Sequence, residues 1–136
     1  TQAREIGIDA PIIGGNGFNS PALIKGAGDA AEGVIVGAAW NSASDNKQNV
    51  AFIEAYTAKY DVAPDQFSAQ AYAGMQIVDH AVRSTCSGER EGIKAGLGDI
   101  TDVATVLGDV SLDANRDAVH AALVQVVDGG KFVILE

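Results

Sequence analysis

A chain of 136 residues that is 47% apolar has the length of one ordinary domain and enough hydrophobic surface for a packed core, which argues against disorder. Nine basic residues against eighteen acidic ones give a formal charge of −9 with no Lys/Arg cluster to displace phosphate counterions, so no nucleic-acid surface is expected. The lone Cys86 cannot form an internal disulfide, and no apolar run approaches the roughly 18 residues of a membrane-spanning helix.

The chain opens on Thr1-Gln2-Ala3-Arg4-Glu5-Ile6-Gly7, which reads as the tail of a helix closed by a glycine, with upstream sequence expected before it. Pro11 to Pro21 then reads as a short buried strand, a glycine turn and a helix start. Ile12 and Ile13 suit an interior strand, and Gly14, Gly15 and Gly17 permit positive φ and close backbone approach. Ser20-Pro21 is a good N-cap and first helical residue. Ligands in open α/β sheets sit beyond the carboxyl ends of strands, so Asn16 and Phe18, at the tip of this turn, are candidates for contact. An ordinary βα loop with no ligand would carry the same letters.

A short helix over Pro21 to Ala27, with Leu23 and Ile24 inward, is followed by the apolar run Gly33 to Ala39, expected to be a strand covered on both faces. Trp40 to Asn46 is polar and reads as a connection. Helical periodicity marks residues 46–60, and again 67–84, where Ala71, Met75, Val78 and Val82 form the expected inward stripe. A weaker helix spans Glu89 to Leu97. The last third is β-rich: Val103–Leu107, Val110–Leu112, Leu123–Val127 and Phe132–Leu135, with Asp128-Gly129-Gly130-Lys131 as a hairpin signal.

Motifs for chemistry fail one by one. Gly26-Ala27-Gly28-Asp29-Ala30-Ala31 has the letters of a dinucleotide fingerprint but follows a helix and precedes a strand, the reverse of the required context. Asp113 to Asp117 resembles the start of a calcium loop, yet Ala118 and Val124 stand where Gly and Glu are needed, so an Asx-held turn is expected. His80 and His120 have no metal-ligand companions, and Cys86 has no activating base. No catalytic residue, metal or cofactor is expected. What remains are aromatics and an amide: Phe18, Trp40 and Tyr72 could line an apolar cleft, with Asn16 as its polar handle. Each aromatic taken singly is more often core than site.

The order of segments carries a resemblance. Gly7-Ile8-Asp9-Ala10-Pro11-Ile12-Ile13-Gly14-Gly15-Asn16-Gly17, Ala30-Ala31-Glu32-Gly33-Val34 and Phe52-Ile53-Glu54-Ala55-Tyr56-Thr57-Ala58-Lys59-Tyr60 closely resemble the type I periplasmic binding proteins of the branched-chain amino-acid (Leu/Ile/Val) branch. Ala71-Tyr72-Ala73-Gly74-Met75-Gln76, Ser111 to Asp117 and Asp128 to Val133 are similar to that family's later segments.

The resemblance implies an α/β fold of two lobes, each a flavodoxin-like parallel sheet with flanking helices, of which this chain is an incomplete C-terminal portion. Residues 1–36 would be part of lobe II, 37–118 part of lobe I, and 119–136 a return to lobe II through the closing hairpin. It implies a non-enzymatic, extracytoplasmic solute-binding component of an ABC importer, periplasmic or extracellular, with a lipid anchor on its N-terminus as a further expectation. Its partners would be a small amino acid or related carboxylate, a membrane permease, and the N-terminal portion of the same protein or a segment-exchanged copy. The solute would lie between lobes against Gly15, Asn16, Gly17, Phe18, Trp40 and Tyr72, with hinge closure near residues 37–41 and 117–120. The family often carries a carboxylate at the position of Asn16, facing the ligand ammonium; an amide there favours a less cationic or carboxylate-bearing solute. A ligand-sensing receptor domain of the same fold is the alternative, and a small flavodoxin-like enzyme a third reading that lacks a phosphate loop or nucleophile.

Overall fold

The computed structural model describes residues 1–135. In chain order the elements are α1 (Gln2–Glu5), β1 (Ile13–Gly14), a 3-10 turn (Asn16–Phe18), α2 (Pro21–Ala27), a second 3-10 turn (Gly28–Ala31), β2 (Ile35–Ala38), α3 (Lys47–Tyr60) and α4 (Gln66–Thr85). They continue with α5 (Arg90–Gly98), β3 (Val103–Thr105), β4 (Gly108–Leu112), β5 (Ala118–Val119), β6 (Leu123–Asp128) and β7 (Lys131–Ile134). The chain forms two compact units: Thr1–Ala43 with the segment that begins at Ala122, and Ser44–Ala121.

The first unit is a four-stranded mixed sheet in the order β1-β2-β6-β7. Only β1 and β2 run parallel, with Ile13 beside Ile35 and Gly14 beside Val36. β6 is antiparallel to β2, pairing Val36 with Gln125, and β7 returns by a hairpin. That hairpin turns on Gly129 and Gly130, both at positive φ (57° and 71°), as a two-residue connection requires. The Glu32 carboxylate accepts from both turn N–H groups, at 3.0 and 2.7 Å, and so fixes the turn from outside the hairpin.

One face of this sheet is closed by Ala31, Val34, Val36 and Val127, with Leu23 and Ile24 of α2 packed on them, the inward pair expected from sequence. The other face is open. Ile13 is 72% exposed and Gly37 is exposed, so neither the opening strand nor β2 is covered on both sides as the apolar runs suggest. The alternation of side chains along a strand sends Ile12 to the core and Ile13 outward, and β1 is a two-residue edge strand with no described element of its unit over that side.

In the second unit α3 starts at Asn46, whose side chain accepts from the Gln48 N–H and donates to the Thr105 carbonyl at 2.9 Å. α4 starts at Asp65, which accepts from the Ser68 N–H at 2.8 Å. The buried face of α4 is Gln66, Ala69, Ala73 and Ala81, not the stripe expected from periodicity: Ala71 and Met75 are exposed, and Val78 and Val82 only half-buried. At Ala81 the reason is the close approach of α5: a Cβ added at Gly96 would stand 2.5 Å from the Ala81 carbonyl oxygen, so that contact admits only small residues. β3, β4 and β5 form an antiparallel sheet, β5 being a strand the sequence did not signal. Asp113 Oδ1 accepts from the N–H groups of Asn115 and Asp117, both at 2.8 Å, which is the Asx-held turn in place of a calcium loop.

Candidate functional site

Because β1 and β2 are parallel neighbours, the segments leaving their carboxyl ends emerge at one edge of the sheet, the place where open α/β sheets take ligands. From β1 comes the Gly15–Phe18 turn. Its Phe18 N–H donates to the Gly15 carbonyl at 2.9 Å and the Asn19 N–H to the Asn16 carbonyl at 3.0 Å, closing a tight loop. The loop is tight enough for the Phe18 ring to lie over the Cα of Gly14, where any Cβ would overlap it, so that glycine is required by contact rather than by φ. Gly15, Asn16 and Gly17 are exposed and Phe18 is 40% exposed.

From β2 comes Ala39-Trp40-Asn41, all buried. Trp40 is 5% exposed, and its backbone carbonyl accepts from Asn19 Nδ2 at 2.7 Å. Asn16, Phe18 and Trp40 therefore belong to one unit and one sheet edge. Tyr72 belongs to the other unit. It is half-exposed on α4, its ring 4.8 Å from that of Phe52, and it lines an open groove with Tyr56, Tyr60, Ser68 and Met75.

Three residues in this region belong to no motif that the sequence displays. Asn19, Asn41 and Gln125 are 6%, 2% and 0% exposed and joined by hydrogen bonds behind the turn. The only signal was Gln125 itself, the one polar letter on the inward phase of Leu123-Val124-Gln125-Val126-Val127. Among the described residues no three His, Cys, Asp or Glu groups come together to hold a metal. His80 and Cys86 are exposed, and no described helix is long and apolar enough to cross a membrane. In the second unit the Ser68 N–H holds the Asp65 carboxyl below its ordinary value, and Arg83 bonds Asp79 on an exposed helix face, lowering the carboxyl and raising the guanidinium.

The exposed glycine turn thus stands at the carboxyl edge of the parallel pair in a mixed α/β unit. The chain belongs to the periplasmic binding protein family, whose model matches residues 1–131. It is 29% identical over 116 residues to Leu/Ile/Val-binding protein homolog 1 of Brucella abortus (strain 2308), covering 85% of this chain and 31% of that protein. Among solved structures it is similar to the leucine-binding protein LivK of Thermotoga maritima MSB8, with a TM-score of 0.87 and 27% identity over 99% of this chain and 39% of that one. The branched-chain amino-acid transporter substrate-binding protein LivJ of Streptococcus pneumoniae, solved with isoleucine, gives a TM-score of 0.85 and 30% identity over 98% and 39%. A solute-binding protein of an R. palustris ABC transporter, solved with benzoate, gives 0.82 and 26% over 98% and 37%. The chain thus spans between about a third and two fifths of the length of these relatives.

Proposed function

We propose that this chain is the C-terminal portion of an extracytoplasmic solute-binding component of an ABC importer, which captures a small amino acid or related carboxylate without catalysis. The observation that carries the reading is the Gly15–Phe18 turn: exposed, rigidly closed, and set at the carboxyl edge of the β1/β2 pair in a chain that belongs to the periplasmic binding proteins. On this reading Gly15, Asn16, Gly17 and Phe18 form one wall of the solute site, Trp40 enters through its buried position behind that wall, and Tyr72 adds aromatic surface from the other lobe. Binding would favour a closed form, reached by hinge rotation near residues 37–41 and 117–120, because the solute touches both lobes only there, and a membrane permease would receive that form.

The length that relatives possess beyond this chain would complete both sheets. It would also cover Tyr56, Tyr60 and Met75 of the groove on the α3/α4 face, beside the Tyr72 that faces solute, a patch larger and more aromatic than a lone exposed side chain. Asn16 sets the solute class. A neutral amide offers an ammonium no opposite charge to pair with, but its NH₂ donates to a carboxylate.

A calorimetric or thermal-shift screen of the full-length protein against L-leucine, L-isoleucine and benzoate tests the reading. A bound solute at 100 times its Kd adds about 2.7 kcal/mol of stability. Asn16→Ala should weaken the solute that registers about tenfold or more, and Asn16→Asp should shift preference toward the amino acids. An Asn16→Ala protein that binds every solute as the wild type does would refute the site.

A further inference from the structure

Behind the exposed turn runs a chain of three buried side-chain amides in which every link has a direction. The Ala43 N–H donates to Asn41 Oδ1, Asn41 Nδ2 to Gln125 Oε1, Gln125 Nε2 to Asn19 Oδ1, and Asn19 Nδ2 to the Trp40 carbonyl, each at 2.7 Å. The chain begins and ends on the backbone of residues 40–43 and passes through β6 and the foot of the turn on its way. Turning any one amide over would face donor to donor and acceptor to acceptor, so the geometry has one solution. No buried side-chain nitrogen or oxygen among the described residues lacks a partner.

Burying amides in a sheet edge is costly unless all are paired, and apolar residues of similar size would fill the same space without that condition. A network this exacting therefore has a use beyond stability. The use follows from where Asn19 sits. Its backbone N–H closes the turn on the Asn16 carbonyl, and its side chain ties that turn to the segment leaving β2. Gln125, the next member, is itself fixed by the pairing of β6 with β2, so the relay passes through rigid sheet between its two ends on the segment after β2. We infer that Asn19, Gln125 and Asn41 are positioning residues that hold the Gly15–Phe18 turn in its binding-ready geometry and lock it to the backbone at Trp40–Ala43. A loosened turn must be ordered again each time solute binds, which weakens affinity even though every group that meets the solute is still present. This rests on the reading of that turn as a solute wall.

The experiment compares Gln125→Met and Asn19→Ala with Asn16→Ala in the full-length protein. Gln125→Met removes the Gln125 bonds to Asn19 Oδ1 and Asn41 Nδ2; Asn19→Ala cuts the tie to Trp40 in case the first variant does not fold. Amide hydrogen exchange, which needs no solute, should rise about threefold or more at Phe18 and Asn19 in either relay variant, with Gly33 and Gly130 unchanged. Affinity for L-leucine or benzoate, whichever binds the wild type, should fall about tenfold. Uniform exchange changes across the unit, or a faster turn with unaltered affinity while Asn16→Ala loses solute, would overturn the relay and leave the site standing. Should the relay variants and Asn16→Ala all leave affinity untouched while the turn loosens, the site reading fails instead.

Discussion

The sheet of the first unit and the helix seam of the second close by opposite means. In the first, β-branched residues (Val34, Val36, Val127) make the wall and a fully paired amide relay lies behind the turn, so apolar side chains and specific polar groups are both inside. In the second, α4 and α5 meet where Gly96 lies against Ala81, while Phe52, Ile100, Val103, Val106 and Val110 supply buried bulk elsewhere and Phe67, Tyr72 and Met75 of α4 are 51%, 48% and 64% exposed. A small-residue seam gains close backbone approach but buries little area per residue. The sheet of the first unit is thus specified by what it encloses, and the α4/α5 seam by how near its helices come.

The sharpest way to break that contrast is Gly96→Ala. On an ordinary helix surface this substitution would stabilise by about 1 kcal/mol through helix propensity. Here the new methyl meets the backbone of Ala81, which cannot rotate away, so we expect a net loss of about 1–3 kcal/mol, read by chemical denaturation. A gain would mean that α4 and α5 are not in contact at this seam. Asp65→Ala has the next largest expected effect, a loss of about 1 kcal/mol from the cap of α4. Its pH dependence carries the sign. The folded carboxyl lies below its ordinary value of 3.8, chiefly through the Ser68 N–H, so the cap's stabilisation is complete above that value and fades as pH falls through the lower folded one. The gap between wild type and Asp65→Ala should narrow below pH 3.8. A gap that stays constant to about pH 2 would mean that the charge on Asp65 contributes nothing.

How far these features were legible follows from their range in sequence. The glycine stop after α1, the Ser20-Pro21 start, the Gly129-Gly130 hairpin and the Asp113 turn are each decided within about five residues, and each stands where local chemistry puts it. The exposed glycine turn bearing Asn16 and Phe18 was legible for the same reason. The face of α4 was not. Periodicity follows the largest apolar residues, whereas the helix buries Ala69, Ala73 and Ala81, the last of them against Gly96 of another element. Nor was the relay, whose bonds join residues 84 and 106 positions apart. Ile13 and β2 were read as doubly covered because an apolar run does not say whether its cover lies within the same stretch of chain.

The smallest expected effect bears on that last point. Met75 is 64% exposed beside Tyr72 on the α3/α4 face, so Met75→Ala in the 136-residue chain should change stability by no more than about 0.5 kcal/mol. If the remaining length of the protein covers this face, the same substitution in the full-length protein removes a buried side chain and should cost about 2–5 kcal/mol. The two losses, measured by denaturation of the short and long chains, separate a surface that is meant for water from one that is half of a core. Equal small losses in both would mean that the aromatic row stays exposed in the complete protein, and the second unit would then rest on the core it already has, Phe52, Ile100, Val106 and Val110 among it.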